Sequence, residues 1–269
     1  MNINTNTIWY FIHVYFYIFF MDEHGIIILA GGNGKRMNSA VPKVCCLLGR
    51  KPMIVHIIER AIETNPKNIF VVVGQYKEII QNTISHYIQY PITYVEQTIP
   101  KGTGHALLCC LPHIISDSEE CRYLVLCGDV PLISVKLLHT LLHTKQNIIA
   151  ATYKDNPNGL GRVITKDKHV LDRIVEEKDC NDTERKINLI NCGIYVLRLC
   201  DILNTILKIK NNNAQKEFYL PDIFHYISEY SEVHIHYIPK CLQYITNGVN
   251  TPEQLSELET IYKSIHTQV

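Results

Sequence analysis

The sequence predicts an α/β fold: a mainly parallel sheet with helices on both faces. Three observations predict it. Short apolar, β-branched runs at residues 26–29, 69–73 and 123–126 have the character of buried strands. Between them lie stretches of helical periodicity, the first carrying Ile54, Ile57, Ile58, Ala61 and Ile62. Strands alternating with helices favour a parallel sheet covered on both sides, and 269 residues at 46% hydrophobic suffice to bury its core.

The elements follow in order. A strand over 26–29 runs directly into a glycine-rich turn, and a helix follows Pro52. Strands are expected at 69–73, ended by Gly74, and at 92–95. A small helical segment over 104–111 precedes the strand at 123–126, which stops at Gly128-Asp129. Ser134 can cap a helix whose buried side carries Leu137, Leu138, Leu141 and Leu142. Residues 161–164 and 170–175 look like paired strands around a polar turn, and 189–197 is another strand. Thr251-Pro252-Glu253-Gln254 is a capping box with proline at the first helical position, opening a helix that carries Leu255, Leu258, Ile261, Tyr262 and Ile265 on one side.

Bulk composition removes several classes of function. Lys+Arg and Asp+Glu balance at 26 each, and no clustered basic stripe is written in the chain, so no nucleic-acid partner is expected. The ten cysteines include the vicinal pairs Cys45-Cys46 and Cys109-Cys110 but no C-x-x-C, so neither a zinc ribbon nor a thioredoxin motif is present. A reduced, cytoplasmic protein is the expectation. Residues 8–20 are nearly all aromatic or aliphatic. That run is shorter than the ~20 apolar residues a bilayer crossing takes, so no stable membrane insertion is expected. Met21, followed by a polar triplet, reads as a start; residues 1–20 are expected to be a dispensable extension and 21–269 the folded domain.

The chemistry concentrates in three places. Leu29-Ala30-Gly31-Gly32-Asn33-Gly34-Lys35-Arg36-Met37 takes a strand into consecutive glycines, whose unshielded N–H groups suit phosphate oxygens. A dinucleotide G-x-G-x-x-G would end at Met37, and a Walker loop needs Ser or Thr where Arg36 stands, so both fail. Arg36 and Lys43 remain as charges for a triphosphate. Asp129, at the end of a strand, suits Mg²⁺ facing such a triphosphate. Gln97 with Lys101-Gly102-Thr103-Gly104-His105 allows backbone to approach a planar base, which the amide of Gln97 can pair. His139 and His143 have metal-ligand spacing but no third partner, and His234 and His236 share one face of a strand, expected to be solvent. Of the adjacent Glu176 and Glu177, a strand allows only one to serve a given site.

Together these segments resemble one family, the uridyltransferase domain of the bacterial bifunctional N-acetylglucosamine-1-phosphate uridyltransferases. The motifs are LAGGNGKRM with PK, Q followed by GTGHAL, CGDVPLI, GLGRV, RIVEEKD, INCGIY, NNNAQKEFYLPD and NGVNTPEQL, in the family's order from about Gly25 to the C-terminus. The resemblance implies a Rossmann-like, GT-A-like nucleotidyltransferase fold with a mixed, mainly parallel sheet. It implies that Leu29, Ala30, Gly31, Gly32, Gln97, Gly102 and Thr103 hold uracil and ribose, with Gly128 lining the nucleotide site. Arg36 and Lys43 would bind the phosphates and stabilise developing charge; Asp129 and Asn250 would hold Mg²⁺. Gly161, Glu176 and Asn191 would take the amino sugar, and Tyr219 would close its pocket. The implied substrates are UTP and N-acetylglucosamine-1-phosphate.

Lys35 stands where the family commonly has Thr, and Cys192 where Thr is usual beside Asn191. The chain also stops soon after its capping box, whereas the bifunctional enzymes continue into a hexapeptide-repeat β-helix. The expectation is therefore no acetyltransferase activity, and a monomer or dimer rather than the β-helix trimer. Two other readings stay open: a nucleotidyltransferase for a different base or sugar, and an inactive nucleotide-sugar-binding module.

Overall fold

A computed structural model describes residues 23–266 apart from Asn33 and Asn38, and the expectation about residues 1–20 lies outside the described residues. β1 (His24–Leu29) leads into the glycine turn, and the hairpin β2 (Leu47–Leu48) and β3 (Lys51–Pro52) precedes the helix Met53–Ile62. Then come β4 (Asn68–Val73), the helix Lys77–Tyr87, β5 (Thr93–Glu96), the helix Thr103–Ile114, β6 (Arg122–Cys127) and the helix Val135–Leu142. The second half holds β7 (Asn147–Tyr153), β8 (Arg162–Asp167), β9 (Val170–Val175) and β10 (Leu189–Arg198). The helices Leu199–Thr205 and Ile223–Ile227, β11 (Val233–Tyr237) and the helix Pro252–His266 complete it.

Among the described residues these strands form a nine-stranded sheet in the order β5-β4-β1-β6-β10-β7-β11-β9-β8. β5, β4, β1 and β6 are mutually parallel. β10 runs antiparallel to both β6 and β7, and β11 is parallel to β7. The sheet is therefore mixed: the first half of the chain supplies the parallel block β5-β4-β1-β6, and the second half adds one further parallel pair, β7 with β11, among antiparallel neighbours.

Side-chain alternation along β1 divides the core. Ile26 and Ile28 join one cluster with the helices Met53–Ile62 and Val135–Leu142, while Ile27 faces the helices Thr103–Ile114, Leu199–Thr205 and Ile223–Ile227. Because both faces are covered, β1 is apolar at every central position, which is what made it legible as a run. A third, small cluster joins Met37, Cys46, Leu48, Met53, Val249 and Leu258. It ties the end of the glycine loop and the hairpin to the last helix. Ser134 caps its helix as expected, accepting from the N–H of Leu137 at 3.2 Å. His234 and His236 depart from expectation: both are half-buried, because β11 is an inner strand between β7 and β9. No helix among the described residues is long and apolar enough to cross a membrane, and all ten cysteines are free.

Gly25 is opposite buried Tyr123 on β6, and a Cβ there would lie 2.4 Å from Tyr123 Cε1. Gly25→Ala should destabilise the protein by about 1–3 kcal/mol in urea unfolding. Gly32→Ala, where an added Cβ meets nothing within 4 Å, should change stability by less than about 1 kcal/mol.

Candidate active site

The chain runs from β1 outward to β4 and β5, then returns to place β6 on the other side of β1. Connections diverge at that reversal, leaving a crevice at the carboxyl ends of β1 and β6. Leu29 and Cys127 are in register there, so the loops that follow them emerge side by side. The N–H of Gly128 donates to the Leu29 carbonyl at 2.9 Å, and a Cβ on Gly128 would lie 2.9 Å from that same oxygen. The glycine allows the two loops to touch.

Lys43 enters this crevice from the short 3-10 turn Lys43–Cys45, anchored by buried Val44 and Cys45. Its Nζ donates to Asp129 Oδ2 and, at 2.9 Å, to Asn250 Oδ1. The Lys43 side chain is 12% exposed and that of Asp129 18%, so the pair is largely shielded. Asn250 is held by two devices. Its N–H donates to Gln254 Oε1 at 2.7 Å, while Gln254 N–H donates to Thr251 Oγ1 at 3.3 Å. The capping box thus forms with its glutamine reaching one residue further back than usual, onto Asn250. In addition, Val249 N–H donates to the Asp129 carbonyl at 3.0 Å.

Two cavities meet at this cluster and share Leu29, Thr103, Cys127 and Asp129. The first, about 440 Å³, is lined by Ala30, Gly31, Gly32, Lys43, Gln97 and Gly102 among others. Gln97 is buried, and its Nε2 lies 2.9 Å from the Gly102 carbonyl and 3.0 Å from His105 Nδ1. Burial, then the charge of Lys101, lowers the pKa of His105, which favours a neutral ring able to accept from that amide. His105 therefore orients Gln97. Gly31 fits against Gln97 Oε1, 3.3 Å from where its Cβ would be.

The glycines at 102 and 104 also answer a steric demand that local sequence does not announce. Gly102 has φ +106° and its Cβ would lie 2.6 Å from the Phe218 carbonyl; Gly104 would approach the same atom at 3.0 Å. Gly104 N–H donates to that carbonyl at 2.7 Å, and Leu220 N–H donates to Thr103 Oγ1 at 2.9 Å. The close approach they permit is to the crossing 217–220 segment.

The second cavity, about 400 Å³, is lined by Gly161, Glu176, Asn191, Leu220, Pro221 and Asn250 among others. Its wall is set by the buried Arg162, which donates to the Leu160 carbonyl and to Glu177 Oε2 at 2.7 Å. Glu177 also accepts the Gly159 N–H at 3.0 Å, so it holds the turn while Glu176 faces the cavity. Gly161 stands 3.3 Å, at its would-be Cβ, from Glu176 Oε1. Asn191 is oriented by donating to Tyr195 Oη at 2.6 Å and accepting from Gly193 N–H at 3.1 Å.

Three candidates fall outside the cavities. Arg36 is exposed on the turn Lys35–Met37 and lines neither cavity; of the loop before it, Gly31 and Gly32 line the first cavity, and Gly34 packs on Lys43. Gly128 is buried beneath both, spent on the contact with Leu29. Tyr219 is buried and lines neither, whereas the next two residues, Leu220 and Pro221, do line the second. Lys154 and Asn247, joined by a 2.6 Å hydrogen bond, line the second cavity and were not anticipated. Asn247 sits inside the NGVN motif; nothing local to Lys154 marks it.

Residues 26–215 match the MobA-like NTP transferase domain. The chain is 40% identical over 245 residues to the bifunctional protein GlmU of Neisseria meningitidis serogroup C, covering 90% of this chain and 52% of that protein. It thus spans about half the length of the bifunctional relatives it matches. A probable UDP-N-acetylglucosamine pyrophosphorylase of Acanthamoeba polyphaga mimivirus is 38% identical over 246 residues, covering 88% of this chain and 96% of the relative. A crystal structure of UDP-glucose pyrophosphorylase complexed with UDP-glucose shares the fold, with TM-score 0.73 at 18% identity over 90% of this chain and 99% of that one.

Burial, then the charges of Asp222 and Asp179, push the Glu176 carboxyl up from 4.5 to about 7. The folded state therefore holds an extra proton between those values, so stability falls as pH climbs through that window. Glu176→Gln removes this slope. It should leave stability unchanged near pH 4 and raise it on the order of 2 kcal/mol at pH 8, read from urea unfolding at each pH.

Proposed function

This chain belongs to the MobA-like NTP transferase family, and from that premise we propose that it transfers the uridylyl group of UTP to N-acetylglucosamine-1-phosphate, releasing pyrophosphate. The observation that carries the reading is the placing of Lys43, Asp129 and Asn250 where the two cavities meet. A nucleotide in the first cavity and a sugar phosphate in the second would bring their phosphates together at this cluster. The similarity to the mimivirus pyrophosphorylase along nearly that protein's whole length supports the choice of base and sugar.

The reaction asks for little acid–base chemistry. An oxygen of the sugar phosphate, already ionised at neutral pH, forms a bond to the α-phosphorus of UTP, and the bond to the β-phosphate oxygen breaks. Aligning two polyanions and neutralising their charge supply the acceleration. Gly31 and Gly32 leave backbone N–H groups unshielded at the mouth of the first cavity, and Lys43 supplies a cation beside them. Gln97 offers an oriented amide to the base. Glu176 and Asn191 offer oxygen and nitrogen partners to sugar hydroxyls and the acetamido group.

The residues present fit a divalent ion. Asp129 Oδ2 and Asn250 Oδ1 converge on one positive charge, the Lys43 ammonium, so this point already accommodates a cation. Two hard oxygens, with substrate phosphates and water, make the donor set Mg²⁺ prefers. Among the described residues no three His, Cys, Asp or Glu side chains gather to form a rival, softer site. Bound there, Mg²⁺ would supply charge neutralisation between the two phosphates. Lys43 would release the two oxygens and turn its ammonium to the phosphates, whereas Arg36, exposed and lining neither cavity, would have to move to reach a triphosphate.

Pyrophosphate release with UTP, Mg²⁺ and N-acetylglucosamine-1-phosphate tests the reading, against a panel of other nucleotides and sugar phosphates. This pair should turn over fastest; faster turnover with another pair overturns the assignment. Lys43→Ala and Asp129→Ala should each lower kcat by about 100-fold or more while the protein stays folded by circular dichroism.

A further inference from the structure

Lys154 is the only lysine or arginine among the described residues that line the second cavity. It follows directly on β7, whose residues from Ile148 to Thr152 are buried, and its N–H donates to the Asn188 carbonyl at 2.9 Å, so its backbone is fixed. The side chain is half-buried, and its described hydrogen-bond partner is Asn247 Oδ1 at 2.6 Å. Burial lowers its pKa, which the neighbouring Cys192 offsets only in part. An ammonium carries three donors, and taking it from water is unfavourable unless they are used. One is used by Asn247. The cavity is what the others can reach.

Asn247 also begins the short loop that runs through Gly248 and Val249 to Asn250. Val249 N–H is bonded to the Asp129 carbonyl, and Gly248 stands 3.7 Å, at its would-be Cβ, from Asp129 Oδ1. One end of this loop therefore holds Lys154 and the other Asn250, both facing the same cavity. We infer that Lys154 is a substrate-binding residue of the second cavity, tethered by Asn247 so that its ammonium receives an oxyanion of the sugar phosphate. This rests on the proposed function for the nature of the acceptor and goes beyond it in assigning a second cation to the acceptor side. The oxyanion is either the 1-phosphate common to all such acceptors or an anionic substituent on the sugar ring.

The test compares wild type, Lys154→Met and Lys154→Arg. Acceptors are N-acetylglucosamine-1-phosphate, glucose 1,6-bisphosphate and glucuronic acid 1-phosphate, with UTP varied separately. Direct calorimetric titration of each acceptor accompanies the kinetics. Lys154→Met should weaken acceptor binding and raise acceptor KM about tenfold or more, the effect of losing a charge-assisted bond, while the KM for UTP stays within about twofold. Lys154→Arg should recover most of the loss. A loss for all three acceptors assigns the 1-phosphate; a loss confined to the bisphosphate and the uronate assigns the ring substituent. Unchanged acceptor affinity in Lys154→Met, or equal rises in both KM values, overturns the inference. A wild type that binds acceptors yet releases no pyrophosphate defeats the activity alone, because the titrations still decide the role of Lys154.

Discussion

Three stretches of chain far apart in sequence meet through one side chain. Lys43 reaches Asp129 and, 207 residues away, Asn250, and each contact is a hydrogen bond to oxygen in a largely shielded setting. Such a pair carries a constraint. Removing one partner of a shielded charge pair leaves the other uncompensated, so the loop after β1, the loop after β6 and the entry to the last helix are held in common position. On the proposed reading, the same arrangement is a reserve of charge. The two oxygens are held ready for a cation, and the ammonium is ready to be exchanged for one.

The fold brings these parts together by ordinary means. The strand order reverses between β1 and β6, and the carboxyl ends of those strands open a crevice that the buried Gly128 keeps narrow. The small cluster of Met37, Cys46, Leu48, Met53, Val249 and Leu258 does the remaining positioning. Met37 closes the glycine loop and Val249 precedes Asn250, so apolar packing fixes where the polar groups stand. On the acceptor side a part-buried ion pair acts likewise: buried Arg162 with Glu177 holds the turn at 159–161, which leaves Glu176 to face the cavity.

Features signalled by local sequence were readable in advance. β1, the glycine turn, Asp129 at the end of β6 and the capping box at Thr251 each depend on a few consecutive residues, and each stands where expected. Glu176 and Glu177 do take separate roles, but not by strand alternation: both lie beyond the end of β9, Glu176 just ahead of the short 3-10 turn Glu177–Asp179 and Glu177 inside it. Other features depend on distant partners. The glycines at 102 and 104 are required by the Phe218 backbone, and Thr103 bonds Leu220 across 117 residues. Nothing near Lys154 announces Asn247. β7 went unassigned because Ala150 and Ala151 dilute its β-branched character, and the helix Lys77–Tyr87 because it buries only Ile80 and Ile84. Arg36 was expected from its place beside the glycine turn and Tyr219 from resemblance alone, and the structure puts the first on the surface and the second inside.

The central claim is that Asp129 and Asn250 form a cation site which Lys43 fills until a metal–nucleotide complex arrives. Calorimetric titration of UTP with and without Mg²⁺ addresses it most directly, comparing wild type with the Asp129→Ala/Asn250→Ala double variant. The account predicts that Mg²⁺ tightens UTP binding to wild type about tenfold or more, and that the double variant loses this gain while still binding metal-free UTP. An equal Mg²⁺-dependent gain in both proteins would contradict it.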